Sequence, residues 1–175
     1  MKNYMSFVKG AFIKEDTVNN IINYYENSWK MSQGMTIEII LKSVYRQLER
    51  DITYSLYGDT LKKVHLFSRE HNSLYPIIAT LFKREYHIKD TQIVQCNDVQ
   101  GKIYVVYEGR VKIVIANTDI CYIEEGGIFG CFTKQGVTRQ TLTATAVVHS
   151  TLLSVDSSTL QKNVAIFPKV VKRIR

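Results

Sequence analysis

The residues of this chain best suited to chemistry lie in Gly126-Gly127-Ile128-Phe129-Gly130-Cys131-Phe132 and, after a short interval, Arg139-Gln140-Thr141-Leu142. A glycine-rich turn leading toward a short helix presents backbone N–H groups, and such groups hold phosphate oxygens. A singly charged phosphodiester also calls for a guanidinium that bonds two oxygens at once. Gln140 is neutral and offers one NH₂ group, so it cannot replace that fork. Thr141 keeps a hydroxyl able to donate to a phosphate oxygen, and Leu142 adds bulk beside it. Arg139 carries a guanidinium, but neighbouring residues of a strand point to opposite faces, so Arg139 and Gln140 do not face the same side.

Other chemistries find little support. Cys96, Cys121 and Cys131 are odd in number and lack Cys-x-x-Cys spacing, which suits buried thiols in a reducing compartment. His65, His71, His87 and His149 show no metal-ligand spacing, and His87 and His149 fall in strand-like segments where a structural role is expected. No nucleophile–base pair appears, so the chain reads as a non-enzyme. No run approaches the roughly 18 apolar residues of a membrane span. The net charge of +7 resides largely in residues 157–175, which carry five cations and no anion. That pattern reads as a solvated helical end and not as a nucleic-acid site.

At 175 residues and 45% hydrophobic, the chain can bury a real core. Its periodicity changes near residue 84. Before it, Val18, Ile21, Ile22, Tyr25 and Trp29 recur at helical spacing, with Asp16 or Thr17 as cap. Gly34 breaks the pattern, and Thr36 caps a short helix with Ile37, Ile40, Leu41 and Val44. Leu48, Ile52 and Leu56 mark another helix, and Gly58-Asp59 starts a further turn. Ser73 opens a helix carrying Leu74, Ile77, Ile78, Leu81 and Phe82 on one face, with Pro76 in its first turn. These faces outnumber the partners a small bundle supplies, so some are expected against neighbouring subunits. After residue 84, Ile103, Val105 and Tyr107 alternate, Glu108-Gly109 turns, Val111, Ile113 and Ile115 alternate, and Asn117-Thr118-Asp119 turns again. Residues 141–148 and 152–155 supply more strands, Ser157 caps a helix, and Pro168 begins a basic segment. The expected class is α+β, with short helices preceding and following an antiparallel, jelly-roll-like β-roll.

This order, together with Tyr4-Met5-Ser6-Phe7, Tyr24-Tyr25-Glu26, Trp29, Leu61-Lys62-Lys63-Val64-His65-Leu66-Phe67, Ile103-Tyr104-Val105-Val106-Tyr107-Glu108-Gly109 and Phe129-Gly130, resembles the cytoplasmic C-terminal region of hyperpolarization-activated and cyclic-nucleotide-gated cation channels. The resemblance implies a helical C-linker over residues 1–68 that assembles as a homo- or hetero-tetramer. It implies a cyclic-nucleotide-binding roll over 69–175 that stops within its final helix. It further implies that the chain is a fragment of a channel at the cytoplasmic face of the plasma membrane, joined to a pore and carrying no span itself. The family cassette reads Phe-Gly-Glu, then Arg, then Ser or Thr, then Ala. Cys131 stands at the Glu position, Gln140 at the Arg position, and Leu142 at the Ala position. The implied pocket comprises Val114, Cys121, Ile123, Phe129, Gly130, Cys131, Phe132, Gln140, Thr141 and Leu142. No cofactor is required, and cyclic AMP or cyclic GMP is expected to bind weakly. Losing two charge-assisted contacts removes roughly 3–6 kcal/mol. That is on the order of a hundred- to ten-thousand-fold in affinity. The alternative is a working sensor in which Gln140, Thr141 and the backbone suffice for a cyclic nucleotide or another small ligand. The family's Pro-Gly-Asp turn corresponds to Lys89-Asp90-Thr91, and its Glu-Gly to Cys96-Asn97, where Asp90 and Asn97 suit turns.

Overall fold

The computed structural model describes residues 15–32, 37–132 and 138–174. Tyr4-Met5-Ser6-Phe7, the Gly34 break and the Thr36 cap lie outside them. The chain divides into two compact units, Met1–Lys42 and Ser43–Arg175.

In the first unit, helix α1 spans Glu15–Ser32 and α2 spans Ile37–Ser43. Asp16 and Thr17 lie inside α1 and do not cap it, because the helix already runs from Glu15. Val18, Ile21 and Ile22 are half-buried, whereas Tyr24, Tyr25 and Trp29 are exposed.

In the second unit, α3 spans Arg46–Lys63 without interruption. The expected break at Gly58-Asp59 is absent because Gly58 has a packing role: a Cβ there would stand 2.7 Å from the Tyr54 ring. Turns over residues 64–73 lead into α4, Leu74–Ala79, which ends before Leu81 and Phe82 because strand β1, Lys83–His87, begins almost at once. The remaining strands are β2 (Gln92–Val94), β3 (Val99–Gln100), β4 (Lys102–Glu108), β5 (Val111–Ile115), β6 (Thr118–Ile123), β7 (Ile128–Gly130), β8 (Thr138–Arg139), β9 (Thr143–Ala146) and β10 (Ser150–Asp156). Helices α5 (Ser157–Val164) and α6 (Pro168–Ile174) follow. Asp156 occupies the N-cap position of α5, and Ser157 is its first helical residue, held by its N–H on the Gly101 carbonyl at 2.7 Å.

Two antiparallel four-stranded sheets, ordered β1-β10-β4-β7 and β2-β9-β5-β6, form the roll, with β3 and β8 paired beside them. The turns follow from residues that accept left-handed backbone: Asp90 (φ 63°), Asn97 (φ 72°) and the hairpin pair Ala116 (φ 48°) and Asn117 (φ 61°). The second hairpin thus turns at Ala116-Asn117, and Thr118 and Asp119 already belong to β6.

Strand β4 is buried on both faces, although only one alternation is conspicuous in its sequence. Ile103 and Val105 face a core shared with Leu61, Phe67, Leu74, Ile78, Leu153 and Leu160. Tyr104 and Val106 fill the interior of the roll with Val94, Val111, Ile113, Phe129, Ala144 and Leu152. The helices on either side of the roll in sequence therefore share one core against its outer face.

Candidate functional site

Strand β7 places the cassette by pairing with β4, Ile103 opposite Gly130 and Tyr104 opposite Phe129. The Phe129 ring stacks on Tyr104 with centroids 5.3 Å apart. Gly130 must be glycine: its φ is +117°, and any Cβ would overlap the Lys102 carbonyl. That carbonyl accepts the Cys131 N–H at 2.9 Å, so this backbone donor of the cassette is already engaged within the fold. Cys131 is buried, whereas Cys96 in the turn before β3 and Cys121 on edge strand β6 are exposed, which corrects the expectation of three buried thiols.

On the other side of the cassette, the strand alternation holds. Arg139 is exposed, Gln140 is buried and Thr141 is exposed. The backbone of Gln140 is fixed at both ends, N–H to Asp98 O at 2.9 Å and C=O from Asn97 N–H at 2.8 Å. Its side-chain Nε2 donates to Gln100 O at 3.2 Å, and Gln100 Oε1 accepts from the Tyr104 hydroxyl at 3.2 Å. The amide is thus engaged by the β3 segment. Arg139 Nη1 bonds Asn97 O at 3.3 Å.

Of the remaining expected pocket residues, Ile123 and Leu142 pack against the roll interior with Phe129, and Phe132 packs against the helical core. Cys121 pairs with Ile113 and Ile123 with Val111, so both share the interior face of that sheet. Cys121 is nonetheless exposed, as is most of edge strand β6. Val114, paired with Thr143 on the continuous β5–β9 ladder, turns to the opposite face. Residues 133–137, the middle of the cassette, lie outside the described residues. A separate cleft of about 870 Å³, formed by Leu56, Thr60, Tyr107, Arg110, Glu124 and Val148 among others, contains none of the cassette residues.

A polar cluster that motif reading did not reveal lies on the roll's interior face. Glu85 pairs with Leu152, and its Oε1 accepts from Ser154 Oγ at 2.6 Å and Lys102 Nζ at 2.9 Å. Its Oε2 lies 3.6 Å from His87 Nε2. The imidazole, the serine hydroxyl and the ammonium hold the Glu85 carboxyl down at about 2, against burial, which pushes it up. At 3.6 Å the imidazole stands beyond hydrogen-bond reach, so Ser154 and Lys102 fix the geometry. Burial, with the negative charges of Glu85 and Asp156, raises the Tyr104 hydroxyl to about 12, so it remains a neutral donor. Nothing local in β1, where Lys83, Arg84 and Glu85 are consecutive charges, tells which cation crosses β10 to meet Glu85. His149, in the bend between β9 and β10, accepts the Lys89 N–H at 3.2 Å and stacks on Tyr86. Among the described residues, no group of three acidic, histidine or cysteine side chains is placed to hold a metal ion.

Helices on one face of a two-sheet antiparallel roll, with Phe129-Gly130 at the end of β7, are consistent with a cyclic-nucleotide-binding domain fold. Particular relatives narrow the class. The chain is 23% identical over 98% of its length to a cyclic nucleotide-gated cation channel of Ictalurus punctatus, covering 26% of that protein. It is 22% identical over 99% of its length to cyclic nucleotide-gated channel alpha-3 of Homo sapiens, covering 26% of it. A cone photoreceptor channel subunit alpha of Gallus gallus matches at 22% over 99% of the chain and 24% of the relative. The chain thus spans about a quarter of the length of these curated relatives, which are ion channels and not enzymes. No family model matches. Among the described residues, no helix is long and apolar enough to cross a membrane.

Proposed function

We propose that this chain is the gating-regulatory and tetramerisation region of a cation channel of the cyclic-nucleotide-gated or hyperpolarization-activated type, at the cytoplasmic face of the plasma membrane, and that its roll has largely given up nucleotide binding. Residues 1–68 act as the C-linker, assembling a homo- or hetero-tetramer below the pore, and residues 69–175 form the roll. The exposed Tyr24, Tyr25 and Trp29 of α1 support a role in subunit contacts. The observation that carries the reading of the site is Gln140: a neutral side chain stands at the guanidinium position, buried, with its amide engaged by Gln100. Gating then works by mechanical coupling, in which roll packing or ring contacts shift the pore equilibrium. A ligand contributes only its difference in affinity between the two states.

Replacing the matching segment of a cyclic-nucleotide-gated channel with this chain tests the proposal in patch recordings. The expected chimera assembles and conducts but gives no response to cyclic GMP or cyclic AMP below millimolar concentration. Graded opening at micromolar nucleotide contradicts it. Such opening is what the second reading, a working sensor, requires. The exposed Thr141 favours that reading, since its hydroxyl is accessible to a small ligand.

A further inference from the structure

We infer that Arg173 is a latch that locks α6 to the connector between α3 and α4, so that the two segments open and close as one unit. Arg173 Nη1 donates to Ser68 O at 2.6 Å and to Leu66 O at 3.1 Å. The same nitrogen lies 3.7 Å from Glu70 Oε1, and the Glu70 side chain is only 7% exposed. The carbonyl between those two, Phe67 O, accepts the Tyr75 hydroxyl at 3.0 Å. Three consecutive carbonyls of the connector are therefore held by side chains from α6 and α4.

The backbone of the connector is shaped for this. Residues 64–69 form successive turns, with Phe67 N–H on Val64 O and Ser68 N–H on His65 O. Arg69 adopts left-handed backbone at φ 61°, an uncommon state for a residue with a Cβ. That reversal lies between the Ser68 carbonyl and the Glu70 carboxylate, which converge on the same guanidinium nitrogen. Val170, one helical turn before Arg173, is fully buried in the core that also contains Leu66, Phe67 and Leu74. Apolar contact and charge thus bind α6 to the same short segment.

The coupling follows from what separation would leave behind. If α6 lifted alone, a buried carboxylate would lose its cation and two carbonyls their donor, an unfavourable intermediate. The connector and α6 therefore exchange between two joint states, and whatever displaces residues 168–174 is felt where α3 enters the roll domain. This holds whether or not nucleotide binds, so it stands apart from the reading of the cassette.

Hydrogen exchange of the whole chain, read by mass spectrometry or by NMR, tests the latch. In the unmodified protein, amides of residues 64–73 and 168–174 should share one opening constant. In Arg173→Ala the shared constant should split, with exchange of residues 168–174 raised by roughly ten- to a hundred-fold and that of residues 64–73 by less. Amides of β4 and β10 should keep their protection. Arg173→Lys retains the charge but not the planar fork, and should split the two segments to a smaller extent. If the two segments open with different constants in the unmodified protein, or still share one constant in Arg173→Ala, the latch is overturned. Should Arg173→Ala unfold the β4 and β10 core as well, Arg173→Lys decides by the same joint-or-separate criterion.

Discussion

The paired change of Cys131→Glu with Gln140→Arg should raise affinity for cyclic AMP by on the order of a hundred- to ten-thousand-fold, the inverse of losing two charge-assisted contacts. An arginine at position 140 can keep the bond that Gln140 Nε2 makes to Gln100 O and still present further donors to a phosphate. A glutamate at position 131 restores an acceptor for a ribose hydroxyl. Both positions are buried, at 5% and 4% exposure, so each new charge is costly without its ligand. The repaired protein should accordingly melt lower than the unmodified one when empty, and gain more from saturating nucleotide, because a ligand that binds only the native state stabilises it by mass action. Competition against a fluorescent cyclic AMP analogue, with melting curves taken in parallel, checks both halves. A repaired protein that stays folded and binds no better would show that Gln140 does not occupy the phosphate position.

Acid should weaken the roll through Glu85. Its carboxyl titrates at about 2 in the folded chain, against an ordinary value of 4.5. A depressed folded pKa means that the unfolded chain takes up the proton first. The stabilisation is therefore fully present above pH 4.5 and is lost as pH falls from there toward 2. Because the imidazole stands too far to bond and the site is partly open to solvent, the stabilisation is about 1–2 kcal/mol. Denaturant midpoints measured between pH 6 and pH 2.5 should fall, and Glu85→Gln should remove most of that fall while lowering stability at pH 6. Ser154 and Lys102 would lose a charged acceptor in that variant. A Glu85→Gln protein with an unchanged acid slope would show that other carboxylates dominate.

The sequence disclosed the architecture through signals that act locally. Alternation in residues 103–107 and 111–115 predicted the strands, and Asp90 and Asn97 predicted turns through their tolerance of left-handed backbone. Helix limits were less legible because long-range packing decides them. Gly58 reads as a break, yet its missing Cβ lets α3 continue beneath the Tyr54 ring. Leu81 and Phe82 continue a helical stripe, yet β10 takes up the chain from Lys83 and ends the helix earlier. At the site, the residue types of Cys131 and Gln140 were readable, but their partners were not. The bond from Gln140 to Gln100, and that from Cys131 N–H to Lys102 O, join residues whose proximity only the sheet pairing creates. The Glu85 cluster and the Arg173 latch share that character, since each joins residues far apart in sequence.

Calorimetric titration of the unmodified chain with cyclic AMP and cyclic GMP separates a roll whose anion site has lapsed from a working sensor. The account predicts no saturable heat for either nucleotide up to about millimolar concentration, as expected when two charge-assisted contacts are lost from a micromolar site. Saturable binding at micromolar concentration would contradict it, and would mean that Thr141 and the remaining backbone donors hold a phosphodiester without a guanidinium.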